Sequence, residues 1–553
     1  WKSRLMASLG TKMAEFGVQF PLVGSKRSSS SFGIQLLDVA TRAVGREPAP
    51  SLFDTKKWRF GYVPHMVSAV LGFVKAAPCE VEKGSLEVLD YVYNTMRFVD
   101  HNGVEKSLKE AMEDDKNCPK LTSKLVGGKK APYSPDNVGC YYAPYLKETD
   151  KCYKGQELID LVGSWSVLGT MDKSCVDAVT FYSDLKTLDL GDKYFVMLGA
   201  SSEMGPLEYL LNFGATVLAI ARPDKSKPKW LSMFKKAAFS KGGGTLIAPL
   251  LNDVVGADLI TQCPSIARWI CDTVPEGKEI IICSYAYMDG EKFVRVSAAM
   301  DAIITYVKHH RAKESKVTLA YIDTPTHVHM VPDTCQHNSK KYLNSAPLYQ
   351  KILMNMGVIR KQEYHRVASG GSGDDDRNKG KVACDGLSIV QGPNYAIAKL
   401  IQRMRAVHSR QTGHKVSMTV GPPTATWSVL HAPKVGDAAR QMYRFKPNDF
   451  YLVSTVKPLL FMFLINDMLN PKSKANPPSK EELKSSSSSS SPSPYDFIIE
   501  NSWHGGIWDS GFLTRSLGPS AYIIAQIEKA APVVAILTAL AAATAYRYMS
   551  RAS

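Results

Sequence analysis

The chain has no CxxC pair. Its ten cysteines stand singly, at 79, 118, 140, 152, 175, 263, 271, 283, 335 and 384. That spread gives no zinc-ligand spacing and reads as free thiols in a reducing compartment. An RNA-binding signature and a compact arginine cluster are missing too. A formal net charge of +16 therefore finds no motif to turn it toward nucleic acid, and no nucleic-acid partner is expected. Acidic residues are scarce in residues 1–46, where Lys2, Arg4, Lys12, Lys26 and Arg27 precede Ser28 to Ser31. This basic, hydroxyl-rich composition fits an organelle targeting segment or a plain mobile amino terminus.

What is present suits a folded protein of several domains: 553 residues, 44% hydrophobic and 22% charged. Residues 50–185 show helical periodicity, with Leu86, Val88, Leu89, Val92, Met96 and Val99 on one side of a helix. Residues 1–185 are expected to form a largely helical extension. From 186 to 330, short apolar runs alternate with helical spacing. The predicted strands are Lys193 to Leu198, Thr216 to Ala221, Thr245 to Pro249, Glu279 to Ser284 and Lys316 to Ile322. A segment at 331–384, with Ser369-Gly-Gly-Ser-Gly-Asp-Asp-Asp-Arg inside it, reads as an inserted loop. The alternation resumes with a helix at Tyr395 to Ser409 and a strand at Lys415 to Val420. The expected fold is α/β: a doubly wound parallel sheet of Rossmann type over 186–435, with the helical extension before it and a hydrophobic helix at the carboxyl end.

Residues 436–526 form a carboxyl-terminal extension whose stretch 484–494 is a serine-rich linker, with seven serines at 485–491. The last segment, 527–553, holds Ala530 to Tyr546, 17 residues without a charge, followed by Arg547 and Arg551. A membrane span needs about 17 to 25 apolar residues. The segment reads as a tail anchor, with an alanine-rich helix packed on the protein as the alternative.

Two short motifs carry chemistry. Leu198-Gly-Ala-Ser-Ser-Glu-Met-Gly205 is a glycine turn between a strand and a helix, and Tyr395-Ala-Ile-Ala-Lys399 sets a phenol and an ammonium one helical turn apart. The first resembles the TGASSGIG turn of the short-chain dehydrogenase/reductase superfamily, and the second matches that family's YxxxK. Val416 to Thr426 is similar to its strand-loop VNAVAPGPVAT, with the Pro-Gly order reversed. The resemblance covers about residues 190–430. It implies a cofactor seat at Gly199, Ser201, Ser202 and Gly205, where helix N–H groups would meet a pyrophosphate. Glu203 departs from the pattern, since the family has glycine there. Arg222, at the end of the second strand, would pair with the 2′-phosphate of NADPH. Asp253, Ala286 and Thr426 complete the implied cofactor set. Cys283-Ser-Tyr-Ala286 stands in place of Asn-Asn-Ala-Gly.

The resemblance also implies the chemistry. Tyr395 would give its proton to an alkoxide, and Lys399 would lower the tyrosine pKa. Thr324 or Thr326 would replace the family's serine, and Ser297 falls where an asparagine is expected. His327 and His329, with Asp323 and Asp333 nearby, make zinc conceivable, but no metal is assigned. The expected activity is that of a membrane-associated NADP(H)-dependent carbonyl oxidoreductase acting on a small apolar substrate, in or on an organelle such as a mitochondrion or plastid. The rival is a catalytically impaired scaffold or accessory subunit of a larger membrane complex, with protein partners.

Overall fold

The computed structural model describes residues 16–530, except 55, 57, 115–117, 225–226, 312–315, 368–377, 480–481 and 483–492. Its centre is an eight-stranded sheet. The strands are β1 Thr122–Gly127, β2 Lys193–Leu198, β3 Thr216–Ile220, β4 Thr245–Leu251, β5 Val254–Val255, β6 Glu279–Ser284, β7 Val317–Asp323 and β8 Val416–Val420. Six of them run parallel in the order β4-β3-β2-β6-β7-β8. β1 and β5 are antiparallel additions, both paired with β4. The sheet is therefore mixed, which corrects the expectation of a purely parallel one. β1 escaped the sequence reading because Thr122-Ser-Lys-Leu-Val-Gly127 is an exposed edge with little apolar content.

The parallel strands are apolar on both faces, so both are covered by helices. Val196, Leu198, Leu218, Ile220, Ile280 and Ile282 face one way, into a core shared with α3 Leu259–Thr273, α4 Glu291–Arg311 and α5 Gly392–Gln411. Phe195, Met197, Val217, Ala219, Ile281 and Cys283 face the other way. They meet α1 Leu207–Asn212, α2 Pro228–Ala238 and α6 Val453–Leu469. Each fully buried aliphatic side chain contributes roughly 1.5–3 kcal/mol to holding these layers together. The chain leaves β2 toward one face and β6 toward the other. A crevice follows at the carboxyl ends of these two strands, the usual ligand position in such sheets.

The amino-terminal extension is not purely helical. Gly17–Gln19 pairs with Arg97–Val99, which pairs with Glu105–Ser107. Gly17 has φ +82°, and a Cβ there would lie 2.3 Å from the Ile260 carbonyl, so only glycine lets this strand pass α3. Phe32, Leu36 and Leu37, from helix Ser29–Arg42, are buried in the same core as α5. Residues 16–46 of the basic, hydroxyl-rich stretch are thus built into the body; residues 1–15 lie outside the described residues.

The segment read as an inserted loop, 331–384, is largely folded. Val328–Pro332 and Tyr364–Arg366 flank Lys381–Asp385 in an antiparallel sheet, with helices Asp333–Asn344 and Leu348–Asn355 between. Residues 368–377 fall outside the described residues, as does most of the serine-rich stretch. The carboxyl-terminal extension is equally integral, since Trp503 and Trp508 are fully buried. Residues 514–530 are helical and bury Leu517 and Ala521 against Ile359 and Phe445. Lys529 donates to Asp437 at 2.6 Å, holding the end of this helix to the body.

Among the described residues, no helix is long and apolar enough to cross a membrane. Ala530 to Tyr546 lies, but for its first residue, outside the described residues. The carboxyl-terminal membrane helix is withdrawn, and with it the membrane partner, the membrane-associated and organellar location and the membrane complex. The apolar substrate was inferred only from that tether and has no other support.

Candidate active site

β7 ends at Asp323, and Thr324-Pro-Thr326 follows at its carboxyl end. Helix α5 lies beside it and carries Tyr395, Lys399 and Arg403 at four-residue spacing, hence on one face. This places the three sequence-predicted residues Thr324, Tyr395 and Lys399 together. The Tyr395 ring packs on Phe293 at 5.3 Å and Tyr287 at 6.2 Å between centroids. Its hydroxyl interacts with that of Thr324. Burial pushes the phenol up to about 12; the nearby Asp323 carboxylate adds to the rise, while Thr324 and the Arg403 guanidinium ease it. The direction is opposite to the lowering expected from the motif.

Lys399 explains the difference. Its Nζ turns inward and donates to the Ile322 carbonyl at 2.7 Å and to Gln402 Oε1 at 3.1 Å. Gln402 Nε2 in turn reaches Ser297 Oγ at 3.3 Å, so a glutamine-serine pair stands where an asparagine was sought. Burial lowers the ammonium to about 8; Asp323 opposes the fall and Arg403 adds to it.

Sequence reasoning missed Arg403, the centre of the buried network under the site. Its Nε donates to Asp323 Oδ2 at 2.7 Å and its Nη1 to the Val328 carbonyl at 2.7 Å. The same guanidinium lies 2.9 Å from His327 Nδ1 and 2.5 Å from His329 Nε2. Both imidazoles are held well below their ordinary pKa, by burial first and then by this cation. Neutral rings against a guanidinium are hydrogen-bond partners rather than a zinc site. The signal for Arg403 was its spacing: a cation one turn beyond Lys399, with an aspartate beside Thr324. A second cluster, Glu363, His365 and Asp385, has ligand atoms within 4.8 Å of one another. Arg515 donates to both of its carboxylates, at 2.5 and 3.0 Å, and so already supplies their counter-charge.

The cofactor set is less well assembled. Gly199 has φ +102°, and a Cβ there would meet the Ala286 backbone nitrogen at 2.5 Å. The glycine thus serves the close approach of the chain leaving β6, and Ala286 fills that space. Gly205 packs against the Met197 methyl. Ser201 is exposed, and Ser202 closes the turn by accepting the Gly205 N–H at 3.1 Å. Glu203 leans across the crevice, and its Oε2 accepts the Trp427 N–H at 3.0 Å. This bond joins the turn after β2 to the loop after β8, where Thr426 also lies. Arg222 is exposed at the end of β3. Asp253 sits with Asn252 at the tip of the β4–β5 hairpin; both have positive φ, as a two-residue hairpin turn of this kind requires.

Two small, partly open cavities lie near the site, each about 10 Å³, room for about one water. Tyr285, Tyr321 and Thr419 line one, and His329, Arg403 and Tyr495 the other. Neither admits a dinucleotide, and the Glu203–Trp427 bond spans the crevice that would hold one. As it stands, this arrangement does not fit NADPH, and an NADP(H)-dependent carbonyl oxidoreductase with a ready-made cofactor seat is set aside. No protein-family model matches the chain, and a search of curated proteins finds no match to it.

Proposed function

We propose that the chain is an enzyme that uses Tyr395 as a general acid, in the manner of a short-chain reductase. The observation that carries this reading is the convergence of Thr324, Tyr395 and Lys399 at the carboxyl end of the parallel sheet. A phenol pushed up to about 12 is fully protonated at neutral pH and serves as a proton donor to a developing oxyanion. Lys399 keeps a positive charge within the site below about pH 8. Thr324 contributes a hydroxyl facing the same space. NADPH is the cofactor this reading calls for, and binding it requires Glu203 and Trp427 to part.

A second reading keeps the fold and the residues but treats the site as permanently shut, with no catalysis. The Glu203–Trp427 bond favours it. Fluorescence titration of NADPH into the wild type and Glu203→Ala separates the two. If the bond is a latch, removing the carboxylate tightens binding at least fivefold, from the loss of one hydrogen bond of about 1 kcal/mol and of a charge facing phosphate. Absence of binding in both proteins supports the shut site.

A further inference from the structure

Side-chain oxygens run outward from Tyr395 in a line. Thr324 Oγ1 lies 2.7 Å from Thr326 Oγ1, and Thr326 Oγ1 lies 2.6 Å from Gln391 Oε1. The donors along this line can be counted. An amide oxygen only accepts, so Thr326 gives its one hydroxyl proton to Gln391. With that proton used, Thr326 accepts from Thr324, which must then donate outward. Thr324 also accepts the Thr326 backbone N–H at 3.3 Å. Toward Tyr395 it therefore presents lone pairs and no proton in this arrangement, whereas a Thr324 that eases the phenol toward ionisation has to donate to it, as the reversed line allows.

A hydroxyl that polarises a substrate carbonyl has to donate. Half a turn of the Gln391 amide puts Nε2 in the place of Oε1. The amide then donates to Thr326, Thr326 to Thr324, and Thr324 inward. Gln391 is exposed, at the amino end of α5, so this rotation meets solvent rather than packed neighbours.

We propose that Gln391 is a positioning residue that sets the direction of hydrogen bonding at the site. With its oxygen on Thr326, Thr324 accepts from the Tyr395 side. With its nitrogen there, Thr324 donates to an oxygen bound beside Tyr395. The inference rests on reading Thr324, Tyr395 and Lys399 as an acid site. The charged and titratable groups acting on Tyr395 are Asp323 from β7, Arg403 from α5 and Tyr287 after β6, while Lys399, one turn along α5, is turned to the Ile322 carbonyl. None belongs to the hydroxyl line, so changing residue 391 leaves them in place.

The test uses full-length protein carrying ¹³C at the tyrosine Cζ, with the Tyr395 resonance identified by its loss in Tyr395→Phe. Gln391→Glu offers only an acceptor to Thr326, and Gln391→Arg, whose guanidinium stays charged through the titration, only a donor. Tyr395 should be about tenfold more acidic in Gln391→Arg than in Gln391→Glu, and the difference should collapse when Thr326→Val cuts the line. Thr326→Ala serves the same purpose if the valine variant folds poorly. Equal acidity in the two residue-391 variants would overturn the proposal. So would a difference that survives the cut, because charge acting through space would then account for it. The titration needs no turnover. A shift seen while Tyr395→Phe leaves catalysis untouched would uphold the hydrogen-bond relay and sink only the enzymatic reading.

Discussion

Arg403 and Asp323 form an ion pair that water does not reach: their side chains are 4% and 0% exposed, and Nε meets Oδ2 at 2.7 Å. The pair ties α5 to the end of β7, and so sets Tyr395 and Lys399 opposite Thr324. Removing one member leaves the other charged and buried. Arg403→Met should therefore cost about 3–5 kcal/mol in denaturant unfolding. Adding Asp323→Asn should recover a good part of that loss. A double variant no more stable than Arg403→Met would mean that the guanidinium acts mainly through His327, His329 and the Val328 carbonyl.

Lys399 gives opposite pH dependences for stability and activity. Its folded pKa of about 8 lies below the usual lysine value. Between these values the unfolded chain holds more protons, so stability rises with pH across that window. Lys399→Met should lose this rise, seen as a wild-type-minus-variant difference in unfolding free energy that grows above pH 8. Turnover should move the other way, declining above pH 8 as the ammonium is lost.

Asp467 is a buried carboxylate, held by Ser417, Ser473 and Asn501 and raised to about 7 chiefly by burial. Here the folded state holds the extra proton. Stability from this group is present below the ordinary aspartate pKa and is lost as pH rises to about 7. Asp467→Asn should be more stable than the wild type at pH 8 and lose that advantage at pH 4. An advantage equal at both pH values would assign the effect to packing instead of titration.

The parallel strands were legible because each is a short apolar run buried on both faces; β2 and β6 begin and end where the sequence places them. Tyr395 and Lys399 were legible through their spacing, and Thr324 through its place after β7. Other features depend on partners distant in sequence. Nothing near Thr122 announces pairing with β4, and nothing in the turn at Gly199 shows that Ala286 will fill it. Glu203 was visible as a departure, but its role as acceptor for Trp427, 224 residues on, comes only from the fold. Asn252-Asp253 carried a hairpin signal that the cofactor resemblance obscured.

The proposed activity depends on Tyr395 as the acid. The direct measurement is NADPH consumption, followed by absorbance, with a panel of small aldehydes, ketones and quinones. Tyr395→Phe and the wild type would be compared, both in the Glu203→Ala background so that the crevice is open. Loss of a general acid should lower turnover by about 10²- to 10⁴-fold while NADPH affinity stays within about twofold. Equal turnover in the two proteins, or no turnover of any compound by a protein that binds NADPH, would contradict the account.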